Sequence, residues 1–238
     1  MREKVKNCIR TDAEYKEDIA EYTKKDGILA LLYYLIFMIA YYCMGRVYSA
    51  NHLYLGIVCN IGLAALCVII VLLRKQKIKS LGITFRKAKQ AVVLGSVLGI
   101  CIVLFNNVIP AMMSGLHFTQ ISKLPYNVFY YLVIIAFAEE IAFRGFIQTR
   151  VYGLIKKDSV AVIIVGIMFS LMHIPFQMAL TDSNILEFIG GNAVWLILLF
   201  FWHILFNFLH RKYNNIFTNT IFHGFMDLGN SLFIIKAG

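Results

Sequence analysis

After residue 26 the chain alternates long apolar stretches with short polar segments. The apolar stretches fall at residues 27–45, 53–73, 91–111, 127–149, 159–178, 186–209 and 218–235. Each is near the ~20 residues an α-helix needs to cross a hydrocarbon core. Lipid offers no partner to backbone N–H and C=O groups, so stretches of this length predict helices. The pattern predicts an all-α, multi-span transmembrane helical bundle of about seven spans. No repeat of solenoid period and no Ser/Gly linker interrupts it, so residues 27–238 read as one transmembrane domain. A charged arm, residues 1–26, precedes it.

Composition agrees, since 60% hydrophobic and 15% charged residues are too apolar for a soluble domain. The basic residues predict the orientation. The arm, loops 74–90, 150–158 and 210–217 together hold nineteen Lys and Arg, against three (Arg46, Lys123 and Lys236) in the alternate segments. That bias places the N-terminus in the cytoplasm of a multi-pass cell-membrane protein. The net charge of +10 therefore reflects membrane orientation and gives no sign of a nucleic-acid partner. Loop 74–90 mixes Ile78, Leu81, Ile83 and Phe85 with basic residues, as an interfacial segment on anionic lipid would. The arm is too charged for a signal peptide. Its Val5, Ile9, Tyr15, Ile19 and Tyr22 suit a helix lying on the membrane surface. The five cysteines (Cys8, Cys43, Cys59, Cys67 and Cys101) show no metal or redox spacing and read as small buried hydrophobes.

The acids carry the chemistry. Only six follow residue 26, and three of them, Glu139, Glu140 and Asp227, lie inside apolar stretches. A charge at bilayer depth costs about 2.5–3.5 kcal/mol on insertion scales, so such a residue normally faces a cavity and serves a function. Glu140 and Arg144 are i,i+4 neighbours and predict an ion pair within one helix. Glu139 is rotated by about 100° from Glu140 and is left for chemistry. The next stretch places Phe169 and His173 on one face, and the last does the same for His223 and Asp227. Two imidazoles, a free carboxylate and a His/Asp pair form an acid–base set able to activate water.

The ordered set Glu139-Glu140-x-x-x-Arg144, Phe169-x-x-x-His173 and His223-x-x-x-Asp227 resembles the CAAX prenyl protease and bacteriocin-processing enzymes. That family comprises intramembrane glutamic endopeptidases, and the catalytic motifs fall within about residues 127–235. The resemblance implies a helical bundle around an intramembrane catalytic cavity. It implies that Glu139 is the catalytic carboxylate and that His173 helps it activate a water. His223 and Asp227 match the pair that stabilises the oxyanion; Glu140 and Arg144 match a supporting ion pair, and Phe169 lines the site. Many relatives carry Asn where this chain has Asp227, and a carboxylate cannot donate to an oxyanion. Asp227 is therefore expected to orient His223.

The resemblance implies a peptide hydrolase acting on a membrane-associated or secreted peptide or protein, a role in peptide maturation, and the lipid bilayer as partner. A non-catalytic membrane immunity or regulatory protein is the alternative. An ion transporter predicts repeat symmetry, which the chain lacks. Glu139, His173 and His223 could ligate zinc, but H-E-x-x-H is absent and a water-activating carboxylate needs no metal, so no metal and no cofactor is expected. His203-x-x-x-Asn207 is a decoy for the third motif, expected to be structural, as are Asn106 and Asn107. Gly95-x-x-x-Gly99 predicts a close helix–helix contact.

Overall fold

The computed structural model describes residues 11–118 and 121–234, so Val5, Cys8, Ile9 and Lys236 lie outside the described residues. A short amphipathic helix, α1 (Ala13–Glu21), leads into α2 (Lys24–Asn51) and α3 (Gly56–Leu73). Helix α4 runs over Ala88–Ser114, with a π turn at Leu104–Val108. Helix α5 is helical without a gap from Leu124 to Arg150. It is α-helical at Leu124–Phe129, Phe137–Glu140 and Gln148–Arg150, and wound as π turns at Tyr130–Ala136 and Ile141–Ile147. Then come α6 (Asp158–Leu171), α7 (Ile174–Thr181), α8 (Ile185–Tyr213) and α9 (Phe217–Gly229). Two-residue strands, β1 (His117–Phe118) and β2 (Phe233–Ile234), pair antiparallel beyond the end of α9.

The all-helical membrane bundle expected from the sequence stands. Among the described residues, five helices are long and apolar enough to cross a membrane: α2, α3, α4, α6 continued by α7, and α8. The fourth stretch forms α5, whose π turns flank the two glutamates. The last stretch, expected to be helical over 218–235, stops at Gly229. At 1.5 Å per residue its 13 residues reach only about 20 Å, too short to cross alone.

Exposed Leu32, Leu35, Ile36 and Ile39 on α2, and Val93, Val97 and Ile100 on α4, form the outer face a lipid solvent requires. Inside, Phe37 and Phe169 each meet Phe143 of α5 edge to face, and Tyr33 meets Phe146 in the same way. The contact expected at Gly95 and Gly99 is α4 against α9, where a side chain on either glycine would strike Thr218 or Phe225. It brings the helix of the third motif against α4. Of the thiols, Cys67 is buried whereas Cys43 and Cys101 are exposed, so burial is not general.

The arm also departs from expectation. Tyr15 and Tyr22 are buried in protein instead of lying on a membrane surface. Tyr15 meets His210 edge to face, and the Asp12 carboxylate binds Arg86 at 3.0 Å and also Lys87. Lys79 bonds Glu14 at 2.8 Å, tying the arm to loop 74–90. Burial works to raise the Asp12 pKa, but the bonds from Arg86 and Lys87 hold it below the usual carboxylate value. Arg150, at the end of α5, pins the same loop by donating to Ser80 O at 2.9 Å and Gln76 Oε1 at 3.0 Å. In that loop Leu81 is buried and Phe85 is exposed.

Candidate active site

Glu139 and Glu140 occupy the single α-helical turn between the two π segments of α5. π turns inside α-helices recur at functional sites. Glu140 is fully buried and is the hub. Arg144 Nη1 lies 3.1 Å from its Oε1, His223 Nδ1 donates to the same oxygen at 3.0 Å, and Asn219 Nδ2 donates to Oε2 at 3.1 Å. Arg144 is equally buried, and its guanidinium nitrogens make no aligned hydrogen bond among the described residues. The cation is instead sandwiched between the rings of Phe169 (4.1 Å) and Phe206 (4.7 Å). A desolvated cation over a ring gains about 2 kcal/mol, which partly offsets the loss of water.

The expectation that Glu140 is neutralised within its own helix is thus incomplete, because α9 supplies two further donors. With Nδ1 held by Glu140, the His223 ring turns Nε2 toward the other two acids. Asp227 Oδ2 lies 3.5 Å away and Glu139 Oε2 lies 3.9 Å away. The ring also stacks on Phe206, with centroids 5.3 Å apart. On its far side Glu139 meets Tyr41 of α2, whose hydroxyl is 3.4 Å from Oε1 and 2.9 Å from Asn60 Oδ1 of α3. The Asn60 amide nitrogen donates to Gly56 O at 2.8 Å, so its oxygen faces Tyr41 and takes the phenolic hydrogen.

His173 stands where one helix stops and the next begins. Pro175 cannot donate to a carbonyl one turn back, so α6 ends and α7 restarts at Ile174. At that corner His173 Nδ1 donates to Phe169 O at 2.9 Å, which leaves Nε2 free. A break at Asn192 in α8 precedes Trp195, whose indole meets the His173 ring edge to face at 5.5 Å. A cavity of about 390 Å³ opens between these elements, lined by Phe169, His173, His223 and Asp227 among others. Glu139 is not part of the lining but lies behind His223, 3.9 Å from its Nε2.

Comparison with known proteins gives the same segment. Residues 121–229 match the family model described as type II CAAX prenyl endopeptidase Rce1-like. The Rce1-like segment begins just before α5, ends with α9, and contains all three motifs. The recognition made from those motifs therefore coincides with a family of proteases on the same helices. Helices α1 to α4 lie outside the match. No curated protein matches the chain.

Within the Rce1-like segment the structure gathers Glu139, His223 and Asp227, and sets His173 and Phe169 on the shared cavity. His203 is not among the cavity lining: it is fully buried, with Nε2 3.1 Å from Gln148 Oε1 and its ring 5.8 Å from that of Phe169. Among the described residues no three His, Cys, Asp or Glu side chains group to hold a metal ion. Tyr41, Asn60, Asn219 and Phe206 were not foreseen. Asn219 stands four residues before His223 on the same face, a legible signal. Tyr41 is one of thirteen tyrosines and carried none.

Proposed function

We propose that the protein is an intramembrane endopeptidase that hydrolyses a peptide bond in a membrane-associated or secreted peptide or protein. Leader or signalling peptides are the substrate class this reading favours. The observation that carries it is the wall shared by His173, His223 and Asp227, with the Glu139 carboxylate 3.9 Å from His223 Nε2. At that separation Glu139 makes no direct hydrogen bond to the imidazole, and the water is proposed to lie between them.

Glu139 takes a proton from that water while the free nitrogen of His173 holds it by a second hydrogen bond. The hydroxyl adds to the scissile carbonyl, and the charge that develops on oxygen is met by His223 Nε2–H. Glu140, on Nδ1, and Asp227 favour the charged imidazole. Glu139 then passes its proton to the leaving nitrogen, and the C–N bond breaks. The basic loops support a cell-membrane protein with its N-terminus in the cytoplasm.

The test incubates purified protein in nanodiscs with a pool of membrane-spanning peptides in ¹⁸O-labelled water. Hydrolysis puts one label into each new C-terminus. Glu139→Gln keeps the shape and removes the base, so turnover falls at least ~10²-fold with folding intact. Cleavage by Glu139→Gln at the wild-type rate overturns the assignment.

A further inference from the structure

The cavity has a second wall that the hydrolytic chemistry does not use. Asn106 and Asn107 sit in the π turn of α4, and both line the cavity together with Asn230 just past the end of α9. Asn107 has a structural task. Its Nδ2 donates to Asn230 Oδ1 at 3.3 Å, and its amide packs over Gly229, where any side chain would collide with it. Asn106 is exposed, and its side chain makes no hydrogen bond to another described residue. The Asn230 amide nitrogen is likewise uncommitted.

A free primary amide on a membrane-spanning helix is costly against hydrocarbon and is retained where it meets water or a polar ligand. Helix α8 adds apolar side chains to the lining: Trp195, Leu198, Leu199 and Trp202. The cavity therefore offers amide donors and acceptors from α4 and Asn230, and apolar surface for side chains from α8. A carboxamide presents the same N–H and C=O set as a peptide group, so the two can bond at two points. The volume, about 390 Å³, suits a short peptide segment.

We propose that Asn106 and Asn230 form a main-chain-binding subsite that holds an extended, uncharged peptide segment with its side chains against Trp195 and Trp202. This rests on the endopeptidase reading and names how that site would grip its substrate. It gives specificity for an exposed backbone, hence for unwound segments over intact helices, whose amides are already paired.

Trp195 and Trp202 are the chain's two tryptophans, so intrinsic fluorescence reports occupancy without turnover. The probes are an acetylated, amidated hexapeptide of alanine and leucine and its twin carrying backbone N-methyl groups. Titrated into Glu139→Gln protein, the plain peptide should change the fluorescence and bind about tenfold tighter than its twin. Asn106→Leu with Asn230→Ala should bring that ratio to about one, while Asn106→Gln retains part of it. Equal binding of the twins, a ratio that survives the double substitution, or no response to either peptide overturns the subsite. The wild-type protein is assayed for cleavage in parallel. Discrimination without cleavage keeps the subsite and sinks the hydrolytic reading; cleavage without discrimination does the reverse.

Discussion

His223 Nδ1 donates to Glu140 Oε1 at 3.0 Å, so the imidazole of the third motif is anchored on the second glutamate of the first. The arrangement fixes which nitrogen is presented to the cavity. It also makes Glu140 more than a partner for Arg144, since one carboxylate holds a cation on its own helix and orients a ring on another.

Glu140→Gln should therefore damage two things at once. Removing one member of a buried pair costs about 3–5 kcal/mol, so the folded yield and thermal midpoint should drop. Glu140→Gln combined with Arg144→Met removes the stranded charge and should recover folding. Turnover should stay low, because the amide oxygen can still accept from His223 Nδ1 but no longer brings the negative charge that favours the imidazolium. Recovery of both stability and rate in the double variant would show that the Glu140 charge on His223 has no catalytic consequence.

His223 and His203 should separate cleanly. Removing a donor aimed at a developing oxyanion lowers the rate by ~10²–10³, the loss expected for His223→Ala. His203→Ala removes a side chain bonded to Gln148 and packed behind Phe169, outside the cavity lining. It should lower the melting midpoint while kcat changes little. Rates measured on folded, size-purified protein decide the matter, and a dead His203→Ala beside an active His223→Ala would move the site to α8.

Asp227→Asn should lower turnover. At 3.5 Å the carboxylate favours a charged His223, and an amide does not. A variant that matches or exceeds the wild type would instead mean that this position donates directly to the oxyanion. Steady-state kcat across a pH series reads the difference.

The arm gives a pH prediction. The folded-state pKa of Asp12 is held below its unfolded value. The stabilisation is therefore present above the unfolded value, near 3.9, and is lost as pH falls through the folded one. Hydrogen exchange in α1 should stay protected at neutral and mildly acidic pH and rise only in strong acid. Asp12→Asn should raise it already at pH 7, and unchanged exchange would show that the ion pairs do not hold the arm.

Orientation is tested by impermeant labelling of single cysteines in a cysteine-free background. A cysteine at exposed Lys77 should be protected in intact cells, and one at exposed Ser114 should react. The reverse result would turn the bundle over. Lys77 is preferred to Ser80, whose hydroxyl accepts from Arg150 at 2.6 Å.

Much of this molecule is legible in its sequence because lipid is a severe solvent. Apolar stretches of spanning length have no choice but helix, and six acids among more than two hundred residues stand out without a structure. The i,i+4 spacings within α5, α6 and α9 were equally legible, since they depend on helix geometry alone. For that reason the Glu140–Arg144 pair and the shared face of His223 and Asp227 could be foreseen.

What the sequence left open depends on how separate helices meet. The last apolar stretch looked long enough to span, yet α9 stops at Gly229 and the chain turns into a strand pair with residues over a hundred positions earlier. Hydropathy cannot register that pairing. The arm's tyrosines have the spacing of a surface helix whether the surface is lipid or protein, and only the loop cations beneath Asp12 decided which. Tyr41 reaches Glu139, with Asn60 beside it, because α2 and α3 pack against α5, and Asn106 faces the cavity because α4 lies on α9 through Gly95 and Gly99. Spacing along one helix follows from the chain's own geometry, whereas contact between helices follows from how their side chains interlock.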